Sequence, residues 1–171
     1  MTDQELKDLV ASLIESGKET DRRMQETDRM IKELSRRIGG IDDNQGHHAE
    51  QYFQNVFAEK PVFGGIKYNN VMLNLRTPKI EFDIVLVNGN SVALIEVKNR
   101  IHSKFVRELA EERVKKFKEY FPIYNRFKTR LGIAGFSFSK KVTEEARKYG
   151  IGIIRQVGDS VEISARRLKI Y

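Results

Sequence analysis

Two apolar segments joined by a short polar turn constrain the fold of this chain more than any other feature. Residues 80–87 read Ile-Glu-Phe-Asp-Ile-Val-Leu-Val and residues 92–98 read Val-Ala-Leu-Ile-Glu-Val-Lys, with Asn-Gly-Asn-Ser between them at 88–91. Asn and Gly in this setting are a strong signal for a tight β-hairpin. We therefore predict two neighbouring antiparallel strands whose register depends on the length of the turn.

The turn length decides which side chains of the hairpin oppose each other. A two-residue loop at Gly89-Asn90, or a four-residue loop over 88–91, pairs residues whose numbers sum to 179, which sets Asp83 opposite Glu96. The Cβ atoms of such a pair lie about 4.5–5.5 Å apart. A loop at Asn88-Gly89 shifts the pairing by two residues and keeps both carboxylates on one face, because strand side chains alternate. Only an odd-length loop without a bulge would separate them.

The predicted pair of carboxylates is chemically informative because its face of the hairpin is otherwise apolar. Two opposed carboxylates repel each other, so either one keeps a proton or a cation lies between them. Hard oxygen ligands at this spacing suit Mg²⁺ or Mn²⁺. Lys98, on the same face as Glu96, can orient or deprotonate an attacking water, or neutralise charge on a phosphate. The alternative is a surface ion-pair ladder in which Glu81 faces Lys98, which the apolar face disfavours.

A heptad repeat occupies the N-terminal part of the chain. Alternating steps of four and three residues reach Leu6, Val10, Leu13, Gly17, Thr20, Met24, Thr27, Ile31, Leu34, Ile38 and Ile41. A 3.5-residue period held for five heptads predicts a left-handed coiled coil, whose partner we expect to be another copy of the chain. The alternative is a helix packed back on its own domain. The polar or small residues at 17, 20 and 27 are expected to weaken the middle of this seam.

The end of the coiled coil is predicted from helix-terminating residues. Gly39-Gly40 is expected to break the helix, and Asp42-Asp43-Asn44 offers N-caps for a new one. The predicted domains are therefore a coiled-coil oligomerisation helix at 1–41 and a second domain at 42–171.

Apolar periodicity outlines the second domain as mixed α/β. Helices are predicted at 47–59, 103–121 and 140–149, and extended segments at 66–75, 80–87, 92–97, 131–138, 151–156 and 161–164. Pro122 ends the second helix, whose basic residues are expected to point largely outward: Arg107, Arg113, Lys115, Lys116 and Lys118. The order α-β-β-β-α-β-α-β-β predicts a mixed sheet with helices on both faces.

Asp83, twelve intervening residues and Glu96-Val97-Lys98 resemble the Asp…Glu-x-Lys signature of the PD-(D/E)xK nuclease superfamily. The resemblance covers roughly residues 45–138 and implies a restriction-endonuclease-like, Holliday-junction-resolvase-like fold with core order αβββαβ. It implies that Asp83, Glu96 and Lys98 are catalytic, and that Asp83, Glu96 and the carbonyl of Val97 bind Mg²⁺ or Mn²⁺. Many members carry a further metal-binding Glu on the first core helix, for which Glu50 is the match.

Two qualifications accompany this resemblance. Pro78 lies five residues before Asp83 rather than beside it, which departs from the signature without changing its chemistry. A coiled coil joined to such a domain resembles a group of prokaryotic proteins, and that resemblance implies no particular substrate.

Charge and composition narrow the class of partner. Residues 1–45 hold 8 Lys/Arg against 11 Asp/Glu, a net charge of −3, whereas residues 46–171 hold 23 against 13, a net charge of +10. A domain this basic attracts nucleic acid, although ordinary surface lysines give the same count. The chain has no Cys, no apolar run of about 20 residues and no signal-peptide core, so we expect a cytoplasmic protein without a membrane partner.

Two functions follow as hypotheses. The first is a metal-dependent endonuclease that hydrolyses DNA, with each copy in a homo-oligomer cutting one strand; no residue excludes RNA as the substrate. The second is a non-catalytic nucleic-acid-binding or scaffolding protein on a nuclease fold, with the coiled coil as its working part.

Overall fold

The computed structural model describes residues 2–171, apart from the side chains of residues 3, 5 and 34–45. The chain divides into two compact units, Met1–Asp43 and Asn44–Tyr171. The first unit is made by the N-terminal part of helix α1 (Asp3–Glu59). None of the helices in the described part of the chain combines the length and the apolar character that crossing a membrane requires.

Helix α1 continues through both glycines at which the sequence predicted its end. The predicted break at Gly39-Gly40 is therefore wrong, and residues 47–59 are the last part of α1 rather than a separate helix. Gly costs only about 1 kcal/mol relative to Ala in a helix, and it keeps both backbone hydrogen-bonding groups, so two glycines need not end a long helix. The side chains of the expected N-caps at 42–44 lie outside the described residues.

The heptad positions form an exposed apolar stripe on α1. Its described members are between 44% and 64% exposed: Leu6, Val10, Leu13, Met24 and Ile31. Leu9, Ile14 and Met30 are exposed beside them. Within the stripe, the hydroxyls of Thr20 and Thr27 each donate to the carbonyl four residues earlier, at 2.9 Å. The side chains of the remaining seam positions, 34, 38 and 41, lie outside the described residues.

The second unit is built on a six-stranded sheet. A short hairpin of β1 (Val62–Phe63) and β2 (Ile66–Lys67) precedes it. The sheet contains β3 (Asn70–Arg76), β4 (Glu81–Asn88), β5 (Ser91–Val97), β6 (Lys128–Gly135), β7 (Gly152–Val157) and β8 (Ser160–Ser164), side by side in that order. Strand β6 runs parallel to both β5 and β7, whereas the other neighbours are antiparallel.

Helices cover both faces of this sheet. On one face lie α2 (Ser103–Glu108), α3 (Val114–Tyr120) and α4 (Lys140–Tyr149), whose Val106, Phe117 and Val142 share a core with Val85 and Leu94. The other face is covered by the C-terminal part of α1, whose buried residues Ala49, Phe53 and Phe57 pack with Ile84 and Leu86. The predicted fold class, a restriction-endonuclease-like mixed α/β sheet flanked by helices, is confirmed.

Three predicted boundaries are wrong. The strand predicted at 131–138 lies at 128–135, because Lys128 already pairs with Ser91 whereas Phe136 follows the last paired residue. The segment at 66–75 is divided between β2 and β3. The helix predicted at 103–121 ends at Tyr120, and a π-helical turn at Leu109–Arg113 divides it into α2 and α3.

Candidate active site

The β4–β5 hairpin has the predicted register. Its loop is Gly89-Asn90, and Gly89 has a φ of 53°, as a type II′ turn requires at its first central position. The paired residues run from Asn88 with Ser91 to Ile84 with Ile95, and each pair sums to 179. The predicted register is therefore confirmed for these pairs, and Asp83 and Glu96 are the next residues along the two strands, just beyond the last pair.

The regular pairing of strand β4 is interrupted at Asp83, and its pairing with β3 resumes at Phe82 and Glu81. The pairing with β5 stops at Ile84, and the pairing with β3 omits Asn74 and Asp83, which would face each other. Asn74 has a left-handed φ of 51°, and its side chain accepts a hydrogen bond at 2.7 Å from Gln54 of α1. Phe82 packs on the α3 face with Phe117, although strict alternation would place it on the face of Ile84. The distortion frees the Asp83 carboxylate from a regular strand position.

Both predicted carboxylates are buried where the two strands separate. Asp83 is 7% exposed and Glu96 is 1% exposed. The Val97 N–H donates to Asp83 Oδ2 at 2.7 Å, which holds the Asp83 carboxylate against β5. Glu50, Asp83, Glu96 and Lys98 line the same open cleft, whose volume is about 420 Å³. The structure therefore brings the four predicted side chains to one end of the sheet.

Lys98 lies at the end of β5, and its ammonium sits 5.5 Å from the centre of the Phe105 ring. The alternative ladder in which Glu81 would pair with Lys98 is not formed, because Glu81 binds Arg76 at 2.9 Å. Lys98 is half-buried. It is therefore a cation at the cleft with one side against an aromatic ring and the other open to the carboxylates.

Arg113 is a member of the site that the sequence did not identify. It was predicted to point outward, and this is wrong: its Nη2 donates to Glu96 Oε1 at 2.5 Å, with the Arg113 side chain 23% exposed and that of Glu96 2% exposed. The physical reason is the buried charge of Glu96, which needs a cationic partner. The spacing contained a signal, since Arg113 lies four residues from each of the inward residues Leu109 and Phe117.

Burial raises the pKa of three carboxyl groups in this cleft, those of Glu50, Asp83 and Glu96. The pKa of Glu96 is raised to about 7, chiefly by burial and then by the charge of Asp83, against the opposing effect of Arg113. Burial also raises the pKa of Asp83, with Lys98 as the main opposing charge. The pKa of Glu50 is raised by burial and by Asp83. The site therefore disfavours three simultaneous negative charges unless further positive charge is added.

The donor set fits a divalent cation of the kind that prefers oxygen. Among the described residues, no three His, Cys, Asp or Glu side chains are gathered closely enough to form a metal cluster by themselves. Mg²⁺ usually binds through only one or two carboxylates, keeps several waters and takes further oxygens from phosphate. Asp83 and Glu96, with the adjacent carbonyl of Val97, meet that requirement, and Glu50 stands at the same cleft.

The raised pKa values predict that the metal-free protein is less stable at higher pH. Groups whose folded-state pKa is raised keep protons that the unfolded chain releases, so the stabilisation present below about pH 4.5 is lost as pH rises through about 7. For Glu96 alone the effect is roughly 3 kcal/mol. Roughly 2 kcal/mol of this is lost between about pH 5.5 and pH 8, where urea unfolding in chelator measures it. All six tyrosines lie in residues 52–171, so tyrosine fluorescence reports on the second unit.

The control for this pH effect is Glu96→Gln, which cannot ionise. This variant should lose most of the difference in unfolding free energy between the two pH values. Equal stability of the natural chain at both values, or greater stability at the higher one, would contradict the raised pKa of Glu96.

Comparison with known proteins gives one match. A family model described as NERD, nuclease-related domain, matches residues 45–131, just over half of the chain. No curated protein and no solved structure matches the chain. The matched range contains Glu50, Asp83, Glu96, Lys98 and Arg113, and it agrees with the PD-(D/E)xK resemblance of the sequence.

Proposed function

This chain belongs to the nuclease-related domain family, and on that premise we propose that it is a metal-dependent endonuclease that hydrolyses DNA phosphodiester bonds as a coiled-coil-mediated homo-oligomer. The observation that carries the proposal is the buried pair Asp83 and Glu96 with Lys98 beside it, at the point where the pairing of β4 with β5 ends. A purely structural sheet end has no need for two buried carboxyl groups whose pKa values are both raised by burial.

Each side chain has a role in the proposed reaction. Asp83, Glu96 and the Val97 carbonyl would hold Mg²⁺ or Mn²⁺, with Glu50 as a further ligand from α1. A bound divalent cation would supply Lewis-acid stabilisation of the negative charge that grows on the phosphate. Lys98 orients the attacking water and offsets charge at the phosphorus, since its ammonium stands at the cleft next to both carboxylates.

The proposal of DNA as substrate is supported by charge. The net charge of +10 over residues 46–171 favours a polyanion, and the cleft combines this field with carboxylates that need a cation. Charge alone does not separate DNA from RNA, so both are included in the experiment below.

The proposal of a homo-oligomer is supported by the stripe on α1. Its large apolar side chains are exposed in a single chain, and exposed apolar surface arranged with a heptad period is covered when another helix packs on it. Two copies would supply two active sites, which is what cleavage of both strands of a duplex requires.

The proposal is tested by incubating the full chain with duplex DNA, single-stranded DNA and RNA in Mg²⁺, Mn²⁺ or chelator. We expect cleavage only with a divalent cation, and we expect Asp83→Asn to reduce its rate by about 10³-fold or more, because it removes the charge of a cation ligand. Asp159→Asn, in the turn between β7 and β8, makes the same chemical change away from the cleft and should have no effect.

Two results would contradict the proposed activity. Cleavage that persists in Asp83→Asn would come from another source. Absence of both cleavage and divalent-cation binding, together with retained binding of nucleic acid, would favour the non-catalytic nucleic-acid-binding or scaffolding function.

A further inference from the structure

We propose that Arg113 is a positioning residue of the candidate active site, which holds one carboxylate oxygen of Glu96 so that the other is presented to a divalent cation. The inference rests on the proposed metal-dependent function and adds a residue that neither the signature nor the family match assigns.

Arg113 joins the two strands at the point where their pairing ends. Its Nη2 donates to Glu96 Oε1 of β5 and to the Glu81 carbonyl of β4, each at 2.5 Å. Its guanidinium also lies 4.8 Å from the centre of the Phe82 ring. These three contacts fix the position of the Arg113 guanidinium, and the guanidinium in turn fixes the orientation of the Glu96 carboxylate bound to it.

A π-helical turn in the backbone helps to direct the Arg113 side chain into the cleft. Arg113 is the last residue of the π-helical turn Leu109–Arg113, between two α-helical segments. Such turns are rare, and they occur frequently at functional sites because they change the direction of side chains along a helix. Leu109 and Ala110 stay buried in the same turn, so the helix keeps its core contacts while Arg113 reaches the cleft.

The hydrogen bonding of Arg113 is not arranged for stability alone. Its Nε is buried, with no hydrogen-bond partner among the described residues, although an unsatisfied buried donor costs about 1–3 kcal/mol. A buried ion pair is itself weak support for stability, since an apolar pair of similar volume is often as stable. The arrangement does, however, fix Nη2 on Glu96 Oε1, and the other oxygen, Oε2, is assigned to the cation.

This arrangement predicts an effect on metal affinity. Groups that orient a ligating carboxylate typically contribute about 10–100-fold to metal affinity. Electrostatics alone predicts the opposite sign, because removal of a positive charge near a cation site strengthens cation binding. Weaker binding after loss of Arg113 therefore identifies positioning rather than charge.

The experiment measures the affinity of the full chain for Mn²⁺ alone by isothermal titration calorimetry. We expect Arg113→Met to weaken Mn²⁺ binding by about 10–100-fold. Arg113→Lys should recover part of the loss, because one ammonium can donate to both oxygens that Nη2 contacts. Lys116→Met removes the same charge from the rim of the same cleft and is expected not to weaken binding. Unchanged or tighter binding in Arg113→Met would overturn the inference.

A second set of variants tests whether Arg113 acts through Glu96. In a Glu96→Gln background, Arg113→Met should cause no further loss of Mn²⁺ affinity, whereas an undiminished loss would overturn the inference. Tyrosine fluorescence confirms folding at the temperature of the titration. If Arg113→Met does not fold, Arg113→Gln replaces it, and unchanged affinity in that variant overturns the inference.

Failure of the inference and failure of the proposed function give different results. If the natural chain binds no Mn²⁺, both are wrong. If it binds Mn²⁺ and Asp83→Asn abolishes that binding, while Arg113→Met leaves it unchanged, the metal site stands and the role of Arg113 is wrong.

Discussion

Replacing Lys98 with methionine is expected to lower the rate of DNA cleavage by about 10³-fold while leaving Mn²⁺ affinity nearly unchanged, since a positioned acid, base or charge typically contributes about 10²–10⁴-fold. Methionine keeps most of the apolar length of the side chain and removes the ammonium, which lies 5.5 Å from the centre of the Phe105 ring and whose charge acts on Asp83 and Glu96. The rate is measured in single turnover at saturating Mn²⁺, so that metal binding does not limit it.

The matched control for Lys98→Met is Lys115→Met. Lys115 is exposed on α3 and loses the same charge, so it separates the field of the whole domain from the chemistry of the cleft. A rate within a few-fold of the natural chain is expected for the control. A similarly small loss in Lys98→Met would remove Lys98 from the proposed mechanism, even if Asp83→Asn is inactive.

Part of the candidate site could be predicted from the sequence. Because side chains alternate along a strand, the length of the turn decides which residues of the hairpin share a face. A two-residue loop at Gly89-Asn90 admits one register, which is observed as far as Ile84 with Ile95 and directs Asp83 and Glu96 to the same end of the hairpin. The order of helices and strands likewise restricted the topology, because alternating elements give a sheet covered on both faces.

The alternation of side chains does not predict the interruption of strand pairing at Asp83. The interruption of β4 at Asp83 lies opposite the left-handed Asn74 of β3, whose side chain accepts a hydrogen bond from Gln54, a residue distant in sequence. The prediction for Arg113 was wrong because it relied on residue type alone. Basic residues on a helix are mostly solvated, but Arg113 lies between inward positions of the helix and binds the buried carboxylate of Glu96. A burial that depends on a partner elsewhere in the chain is not visible in the helix alone.

The end of α1 was mispredicted for a related reason. A glycine pair is a local signal, and local signals of about 1 kcal/mol per residue are overridden when the rest of a long helix favours continuation. The apolar stripe on α1 agrees with the predicted heptad period, and its described side chains are exposed in the single chain.

Introducing charge into that stripe is expected to dissociate the oligomer. Leu13→Glu combined with Ile31→Glu places two carboxylates per chain at seam positions that are exposed in a single chain. Each lost apolar contact costs about 2–5 kcal/mol in a packed core, and burying an unpaired charge adds to that, so the dissociation constant should rise by more than about 10³-fold. Sedimentation velocity at micromolar concentration should show the natural chain as an oligomer and the double variant as a monomer of 19.9 kDa.

The matched control adds the same charge outside the seam, as Ser12→Glu with Gln25→Glu, and should remain associated. The two variants also separate assembly from catalysis, because neither changes a residue of the cleft. We expect the monomeric variant to nick one strand of a plasmid at nearly the natural rate, but to convert little of it to the linear form, since cutting both strands at one place needs two active sites. A natural chain that sediments as a monomer would contradict the coiled coil. A dissociated variant that still cuts both strands at one place would show that each chain acts alone.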